Sequence, residues 1–304
     1  MCYFTVFTPV YNGRGVIHRV WNSLQAQTFR DFEWLIVDDG SEDGVIDLLD
    51  EYRSCADFPV RIFSQANKGK HVAWNRAVTL AQGDLFVPAD MDDTFLPTAL
   101  ERFKFLWESI PSDRRKYFSG VNVLCRDPIT QNIIAGPYPR DRMVSNNLEL
   151  AYIHKIFRER WGCIRTDILR SYPFMEVPGY FPENYIWFAM ARKYHVLCAN
   201  EALRYWYSYL GKQGLSKRPP MISPEGRYQY LCWHVGHNLD YLWRDKKDLL
   251  RTAGNIWRLG LHSGRDVGAI LGDINSRRSK LLACAALPIG LFLYTRDFLT
   301  YRAK

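Results

Sequence analysis

Short apolar runs alternate with helical patterns along the first third of the chain. The runs are rich in β-branched and aromatic residues and lie at 3–9, 32–37, 60–63 and 85–87. Each run predicts a buried strand. Between the first two runs, Val16, Val20 and Leu24 recur at helical spacing, and further helices are predicted near 48–52 and at 71–81. Strands that alternate with helices predict βαβ units and a parallel, doubly wound α/β sheet.

The pattern becomes less regular after residue 117. Strands are predicted at 121–124, 161–165, 196–198 and 203–207, and helices at 166–170 and 185–194. The segment 133–142, which contains Gly and Pro, is long enough for a lid or an acceptor loop. A break rich in Gly, Pro and basic residues at 211–220 predicts two domains, at 1–215 and 216–304. The second domain is expected to be helical, basic and rich in aromatic residues.

Polar side chains follow the predicted strands at the point where each strand ends. Tyr11 follows the first strand, Asp39 the second, Asn67 the third and Asp90 the fourth. The carboxyl ends of parallel strands meet at one edge of the sheet, where open α/β sheets bind ligands. The sequence therefore predicts one ligand-binding crevice along this edge.

Three carboxylates stand close together after the fourth strand, at Asp90, Asp92 and Asp93. They repel one another unless a cation lies among them. Hard divalent cations such as Mg²⁺ take oxygen ligands, usually one or two carboxylates together with phosphates of a substrate. A solvated acidic turn is the alternative on these residues alone, and their place at the common edge favours the cation site.

The overall composition is that of a globular protein, with 47% apolar and 24% charged residues. The net charge of +8 comes from the last third, because residues 212–304 contain 16 Lys and Arg but 7 Asp and Glu. This excess predicts an anionic partner, either a membrane surface or nucleic acid. The seven Cys are scattered without a C-x-x-C pair, which favours a reducing compartment such as the cytoplasm. No signal peptide is expected, because the chain opens directly into a strand pattern.

An apolar run at 281–294 lies between basic residues near the end of the chain. It is shorter than the roughly 20 residues that cross a bilayer, and Pro288 and Gly290 disfavour one straight helix. An apolar segment with basic flanks is typical of an interfacial anchor. We therefore predict that residues 281–304 bind the cytoplasmic face of an anionic membrane without spanning it. The alternative is a C-terminal helix packed on the catalytic domain.

Residues 1–218 resemble the family 2 glycosyltransferases of bacterial polysaccharide biosynthesis. The resemblance rests on motifs in a specific order and spacing: Thr8-Pro9-Val10-Tyr11-Asn12, 27–33, Val37-Asp38-Asp39-Gly40-Ser41, 67–71, Ala73 with Asn75, and Asp90-Met91-Asp92-Asp93. It implies the GT-A fold, a Rossmann-like mixed sheet flanked by helices that binds a nucleotide sugar, here followed by a helical C-terminal extension. It also implies a hexosyltransferase that moves a sugar from a nucleoside diphosphate, with UDP favoured, to a hydroxyl of a glycan or lipid-linked acceptor.

The resemblance implies roles for the residues that follow the first three strands. Thr8, Pro9 and Tyr11 would line the nucleotide base. Asp39 would accept a hydrogen bond from an N–H of that base, and Asn67 would also contact the nucleotide sugar.

The resemblance also implies roles at the acidic cluster. Asp93, together with Asp92, would hold Mn²⁺ or Mg²⁺ at the diphosphate, and Asp92 would contact the ribose. Lys70 would lie near the phosphates, and Asp90 would support the cluster at the nucleotide sugar.

Glu183 matches the acidic motif from which such enzymes draw their catalytic base. The family's Glu-Asp pair is Glu183-Asn184 here, so one carboxylate of the pair remains, and Trp74 stands where many members have Arg. One base and a metal fit single displacement with inversion, because the base takes the proton of the acceptor hydroxyl while the metal neutralises the leaving diphosphate. Glu176 and Asp141 are the alternative bases.

Three other functions compete with this interpretation. A sugar-1-phosphate nucleotidyltransferase would share the sheet and the metal but needs a Gly-rich basic loop after the first strand, where residues 11–15 contain a single Arg. A nucleic-acid binder would use the basic tail, but the tail has no recognisable nucleic-acid motif, and we predict no such partner. A non-catalytic glycosyltransferase-like scaffold would keep the motifs without turnover.

Overall fold

The computed structural model describes residues 2–134, 136–156, 159–207, 219 and 221–301. The chain divides into two compact units, Met1–Phe174 with Ile186–Lys212, and Met175–Tyr185 with Gln213–Lys304. The domain boundary predicted at residue 215 falls in 208–218, outside the described residues. The segment Met175–Tyr185 belongs to the second unit, although the sequence pattern assigned it to the first domain.

The first unit is built from alternating strands and helices. The strands are β1 (Cys2–Val10), β2 (Phe32–Asp38), β3 (Val60–Ser64), β4 (Gly83–Pro88), β5 (Thr94–Phe95), β6 (Phe118–Arg126), β7 (Met143–Ser145), β8 (Arg160–Arg165) and β9 (His195–Tyr205). The helices are α1 (His18–Gln25), α2 (Val45–Cys55), α3 (Lys70–Leu80), α4 (Ala99–Glu108), a short 3₁₀ helix (Arg115–Tyr117), α5 (Asn147–Tyr152), α6 (Thr166–Leu169) and α7 (Asn184–Ala191).

All of these strands join one mixed sheet in the order β3-β2-β1-β4-β8-β6-β9-β5, with β7 paired to β9. The predicted parallel pairing holds for β3, β2, β1 and β4, where Phe4 is opposite both Phe32 and Leu85. Beyond β4 the sheet is mixed, as the resemblance implies, because β8 runs antiparallel to both β4 and β6. The two strands expected at 196–198 and 203–207 are one strand, β9, whose register against β6 shifts along its length. The α/β fold class is confirmed.

Burial explains why the central strands read as continuous apolar runs. Every residue of β2 is buried, as expected for a parallel strand covered by helices on both faces. β2 also contains two buried acidic residues, Glu33 and Asp38. The Glu33 carboxylate accepts hydrogen bonds from the Thr5 hydroxyl at 2.6 Å and from the Gln82 N–H at 2.7 Å. Arg61 adds an ion pair at 2.8 Å. Glu33 is thus satisfied inside the sheet and fixes β1 and β3 on either side of β2.

The second unit is helical, with α8 (Glu225–Leu242), α9 (Lys246–His262), α10 (Val267–Gly272) and α11 (Arg277–Tyr301). The side chains of Asp245 and Asp266 cap α9 and α10 by accepting from the N–H groups of Asp248 and Ala269. The predicted helical stretch 228–260 is therefore two helices, separated by a turn at which Asp245 provides the cap.

Helix α11 continues through Pro288, contrary to the interruption expected from Pro288 and Gly290. By length and composition Arg277–Thr300 is long and apolar enough to cross a membrane, which corrects the expectation of a run too short to do so. α11 packs closely against α9 along this stretch. Trp257 of α9 donates its indole N–H to the Ala283 carbonyl of α11 at 2.6 Å. A Cβ placed on Gly290 would lie 2.2 Å from the Cβ of Trp257, so only glycine allows this approach.

The contact at Gly290 predicts opposite effects of alanine at two helical glycines. Gly290→Ala should lower the free energy of unfolding by about 1–3 kcal/mol, because the new methyl group collides with Trp257. Gly236→Ala in α8 meets no atom within 4 Å and should raise the free energy of unfolding by roughly 0.5–1 kcal/mol. Denaturant unfolding of both variants measures the difference, and equal stability of the two would contradict the close approach of α11 to α9.

Candidate active site

The polar residues predicted to share one edge of the sheet follow strands that are adjacent and parallel. The order β3-β2-β1-β4 brings the carboxyl ends of these four strands side by side. Backbone hydrogen bonds join the segments that follow them: Asp39 N–H donates to the Val10 carbonyl at 2.8 Å, and Gln65 N–H donates to the Asp38 carbonyl at 2.9 Å. The common edge predicted from the sequence is therefore present in the first unit, and a ligand-binding crevice along it stays a prediction.

Asp39 is buried at this edge and holds the loop that follows β3. Its Oδ1 accepts from the Gln65 side-chain amide and from Lys68 N–H, both at 2.9 Å. Its Oδ2 accepts from Gly69 N–H at 2.7 Å. A carboxylate offers about four acceptor positions, so the described contacts leave one for a ligand N–H. The clamp also sets the position of Asn67, whose side chain is exposed on the same loop.

The turn after β1 is tied to the turn after β2. Asn12 N–H donates to the Ser41 hydroxyl at 2.8 Å, and the Asn12 side-chain oxygen accepts from Glu42 N–H at 2.9 Å. Asn12 has φ of 50°, a left-handed conformation that Asn tolerates better than most residues. This arrangement leaves the ring of Tyr11 exposed at the edge, as a ring that stacks on a base requires.

Thr8 and Pro9 differ from Tyr11 in accessibility. Thr8 is fully buried, and its hydroxyl accepts from the Trp34 indole N–H at 2.9 Å. The side chain of Thr8 therefore does not line an open surface, and the contact with the base predicted for this position stays a prediction. Pro9 is half-buried and stays a candidate for contact with the base.

Lys70 begins α3 and forms an ion pair with Asp90, with 2.6 Å between the ammonium nitrogen and Oδ1. Burial raises the pKa of Asp90, but the Lys70 ammonium outweighs it, and the net pKa lies below its ordinary value. Asp90 is therefore ionised at neutral pH, with the Lys70 ammonium as its counter-ion. The position predicted for Lys70, near the phosphates of the donor, stays a prediction.

Asp92 is half-buried on the same turn. Burial raises its pKa above the ordinary value, and the negative charge of Asp90 raises it further. A cation bound between the two carboxylates would remove that repulsion. The Asp92 carbonyl accepts from Arg19 at 3.3 Å, and the Arg19 guanidinium lies 4.2 Å from the centre of the Tyr207 ring. The sequence pattern did not single out Arg19, because only the fold brings α1 beside this turn.

Asp93 occupies a different environment from its two neighbours. Its side chain is 4% exposed, whereas that of Asp90 is 41% exposed. Its Oδ2 accepts from Arg204 at 3.0 Å and from Asp90 N–H at 3.2 Å, and Arg204 also pairs with Glu159. Burial raises the pKa of the Asp93 carboxyl, and the Arg204 guanidinium offsets part of that rise. This geometry does not favour the metal-ligand role predicted for Asp93.

The acidic turn therefore has an inner and an outer carboxylate set. Asp93 faces Arg204 of β9 and fixes the turn, while Asp90 and Asp92 are more accessible. Mg²⁺ and Mn²⁺ take oxygen ligands, and one or two carboxylates with substrate phosphates suffice for such a site. Within the described residues no group of three or more His, Cys, Asp or Glu side chains is arranged to hold a metal ion. Asp90 and Asp92 fit the two-carboxylate kind of site.

Glu183 lies in the second unit, directly before α7, and is half-buried. The residue after it, Asn184, hydrogen-bonds to Tyr230 of α8. The ring of Tyr185 packs edge-on against Trp233, with centroids 4.6 Å apart. Asn184 thus has a partner of its own within this unit, which gives a structural reason for the departure from a Glu-Asp pair.

The chain resembles known proteins in sequence. Residues 5–155 match the family model described as glycosyl transferase family 2. YibD of Escherichia coli (strain K12), a glycosyltransferase by name, is 29% identical over 183 residues, which cover 49% of this chain and 52% of YibD. TuaG of Bacillus subtilis (strain 168), named for teichuronic acid biosynthesis, is 28% identical over 168 residues, covering 55% of this chain and 62% of TuaG. The aligned regions thus span between about half and two thirds of these relatives.

Solved structures resemble the whole chain in fold. TarS 1-349 of S. aureus in complex with UDP-GlcNAc has a TM-score of 0.62 at 17% identity, covering 99% of this chain and 92% of TarS 1-349. The mannosyltransferase PcManGT of Pyrobaculum calidifontis, in complex with GDP-Man and Mn²⁺, has a TM-score of 0.55 at 17% identity, covering 99% of this chain and 84% of PcManGT. At this identity the likeness concerns the fold alone.

The mixed sheet flanked by helices has the GT-A fold of these solved structures. Through residues 5–155 the chain belongs to glycosyl transferase family 2. The resemblance predicted from its motifs is therefore confirmed.

The buried pair of Asp93 and Arg204 predicts that removing both charges is less harmful than removing one. Arg204→Met should lower the free energy of unfolding by about 3–5 kcal/mol, because it leaves Asp93 buried without its partner. Adding Asp93→Asn should restore much of that loss and retain Mn²⁺-dependent nucleotide binding. Thermal unfolding and calorimetric titration of UDP with Mn²⁺ test both expectations. A double variant that is stable but has lost the Mn²⁺ dependence would identify Asp93 as a metal ligand after all.

Proposed function

We propose that this protein transfers a sugar from a nucleoside diphosphate sugar to a hydroxyl group of a glycan or lipid-linked glycan, with inversion and with a divalent metal ion. The observation that carries the proposal is the grouping of Asp39, Lys70, Asp90 and Asp92 at the carboxyl edge of four adjacent strands. This grouping offers an acceptor for a base, a cation for phosphates and carboxylates for a metal.

The nucleotide would bind across the turns after β1, β2 and β3. The exposed ring of Tyr11 and the half-buried Pro9 offer a surface for the base. The remaining acceptor position of Asp39 suits an N–H donor of the base, and a pyrimidine with an imide N–H supplies one. Asn67, which Asp39 positions through the loop, would reach the nucleotide from β3. A UDP-sugar is the donor that this arrangement favours.

The diphosphate would lie between Lys70 and the acidic turn. The Lys70 ammonium supplies positive charge, and Asp90 and Asp92 would hold Mn²⁺ or Mg²⁺. When bound, such a metal neutralises the charge that develops on the leaving nucleoside diphosphate. Asp92 would also contact the ribose, as the resemblance implies. Asp93 would hold the turn in place through Arg204 without touching the donor.

The proton of the acceptor hydroxyl would go to Glu183. Glycosyl transfer passes through an oxocarbenium-like centre, and a base on the opposite face makes single displacement possible. Glu183 is the remaining carboxylate of the family's acidic pair. Asp141, one of two alternatives, already accepts from the Asn200 N–H at 2.8 Å. Glu176, the other, is exposed in the same segment of the second unit as Glu183.

The names of similar proteins support the substrate classes in this proposal. TuaG is named for teichuronic acid biosynthesis, TarS 1-349 was solved with UDP-GlcNAc, and PcManGT was solved with GDP-Man and Mn²⁺. A nucleotide-sugar donor and a growing polysaccharide as acceptor follow by analogy. The cytoplasm, at the inner face of a membrane, is the proposed location, and the scattered cysteines without a C-x-x-C pair favour a reducing compartment.

Two alternatives make different predictions in the same assays. A non-catalytic scaffold would bind the donor without releasing the nucleoside diphosphate in the presence of metal, even by slow hydrolysis. A sugar-1-phosphate nucleotidyltransferase would release pyrophosphate from a nucleoside triphosphate. The turn after β1 argues against it, because the backbone N–H of Arg14 is tied to Asp43 at 2.8 Å.

The proposed metal site predicts that Asp92→Asn loses Mn²⁺-dependent binding of UDP. Asp92→Asn should weaken Mn²⁺-dependent binding of UDP by at least the roughly 10–100-fold that changes around metal sites cause. Glu42→Gln is the matched control, because it removes an exposed negative charge from the turn after β2 and should leave binding unchanged. Titration calorimetry with and without Mn²⁺ measures both. Equal Mn²⁺ dependence in Asp92→Asn and the native protein would remove Asp92 from the site.

The proposed role of Glu183 as the general base predicts that its removal lowers the rate of transfer without lowering the affinity for the donor. Glu183→Gln should lower kcat by about 10²–10⁴-fold, since a general base contributes that much, and should leave the Kd for the donor nearly unchanged. Glu176→Gln is the control in the same segment. Release of UDP, measured with a panel of UDP-sugars and glycan acceptors, separates the variants. Full activity of Glu183→Gln would direct the search to Glu176 and Asp141.

A further inference from the structure

Helix α11 buries small and polar residues against the rest of its unit. Its buried positions are Ser279, Ala283, Ala286, Gly290 and Asp297. In a water-soluble helix the large apolar residues face the core. Here the fully buried stripe consists of residues with little apolar area, and Ile289, Leu293 and Tyr294 pack on α9 at its borders. The most exposed apolar residues of the helix lie on the other side.

The opposite face of α11 is apolar and exposed. We call Leu281, Ala285, Pro288, Phe292 and Leu299 the outer face, because they recur at intervals of four, three, four and seven residues. Leu281 is 72% exposed, Phe292 66% and Leu299 78%. Single exposed apolar residues are common on soluble proteins, whereas several on one helix face, as at 281–292, mark a binding surface.

Buried polar contacts fix the rotation of α11 about its axis. Asp297 accepts two hydrogen bonds from Arg258, at 2.6 and 2.5 Å, and one from His262 at 2.9 Å. Near the other end, the Ser279 hydroxyl donates to the Val235 carbonyl at 2.9 Å. Turning the outer face inward would break all of these bonds and bury Phe292 where Gly290 now fits, so the apolar stripe is a fixed property of the fold.

Positive charge accompanies the outer face. Arg277 and Arg278 are exposed at its amino end and Arg296 is exposed near its carboxyl end. The sequence adds Arg302 and Lys304, beyond the described side chains. Apolar side chains between basic ends complement the hydrocarbon boundary and the anionic headgroups of a lipid bilayer.

We propose that the outer face of α11 is a docking surface for an anionic lipid bilayer and that the helix lies parallel to the membrane plane. The inference goes beyond glycosyl transfer and does not depend on it. A second copy of the chain is the competing occupant, and charge disfavours it, because pairing two outer faces would bring basic ends together in either orientation.

The parallel orientation follows from Asp297. At about 1.5 Å per residue the helix is about 37 Å long, enough to cross a bilayer. Crossing would require separation of α11 from α9 and would take Arg258 and His262 away from Asp297. Breaking a buried ion pair of this kind is costly. Lying flat keeps this cluster intact and immerses only the outer face.

The first test is co-sedimentation of the full-length protein with vesicles. Vesicles of phosphatidylcholine with phosphatidylglycerol should bind the native protein at low salt, and vesicles of phosphatidylcholine alone should bind it weakly. Leu281→Glu with Phe292→Glu should abolish binding without lowering Tm, because both side chains are exposed. Ile129→Glu is the matched control, since Ile129 is 71% exposed in the other unit, and should leave binding unchanged. Arg277→Gln and Arg278→Gln should each weaken binding about fivefold.

Three outcomes would overturn the proposal. One is equal sedimentation of the double glutamate variant and the native protein. Another is no binding of the native protein to anionic vesicles at low salt. The third is a dimer in light scattering that the same double variant converts to a monomer, which would assign the outer face to a second copy of the chain. Resistance of the bound protein to alkaline carbonate extraction would overturn the parallel orientation.

Two exposed cysteines allow a site-resolved version of the test. Cys284 lies beside the outer face, and Cys55 is at the end of α2 in the other unit. An environment-sensitive dye on Cys284, in a Cys55→Ala background, should shift to shorter wavelength when anionic vesicles are added. The same dye on Cys55, in a Cys284→Ala background, should not shift. Equal shifts at both positions, or none at Cys284, would contradict docking through α11.

Discussion

Repulsion among the carboxylates after β4 is the constraint on which the candidate site depends. Asp90, Asp92 and Asp93 follow a buried strand within four residues, and Glu159 adds a fourth negative charge nearby. Arg204 neutralises this charge from inside the sheet, and Lys70 neutralises it at the surface. Asp90 stays ionised beside Lys70, and a divalent cation between Asp90 and Asp92 would relieve the repulsion that raises the pKa of Asp92.

The neutralisation also organises the first unit. Arg204 lies on β9, so its ion pair with Asp93 joins the acidic turn to a strand three places away from β4 in the sheet. At the other side of β4, Asp39 joins β2 to the loop after β3 with three hydrogen bonds. Asp93 and Asp39 each accept hydrogen bonds from backbone N–H groups of the neighbouring loops. The crevice is therefore held by charged groups that a substrate does not need to displace.

A buried ion-pair cluster also organises the second unit, where it sets the orientation of α11. The cluster of Asp297, Arg258 and His262 is buried between α11 and α9, where it directs the polar face of α11 inward. A buried ion pair contributes less to stability than to the choice of one arrangement over others. In this unit the buried cluster determines which side of α11 faces solvent, and that side is apolar. The apolar surface of α11 thus depends on a polar contact in the interior of the unit.

The sequence by itself determined the alternation of β1 to β4 with their helices and the common edge at which Tyr11, Asp39, Asn67 and Asp90 lie. These features follow from local periodicity and from the rule that parallel strands end together, so neighbouring residues suffice to predict them. Tertiary structure decided the features that depend on distant partners. Asp93 differs from Asp92 because Arg204, 111 residues away, reaches one and not the other. Thr8 is buried because the indole of Trp34 lies over it. The segment Met175–Tyr185 joins the second unit, and α11 continues through Pro288 with its apolar face outward, because long-range packing overrides the local pattern of Gly and Pro.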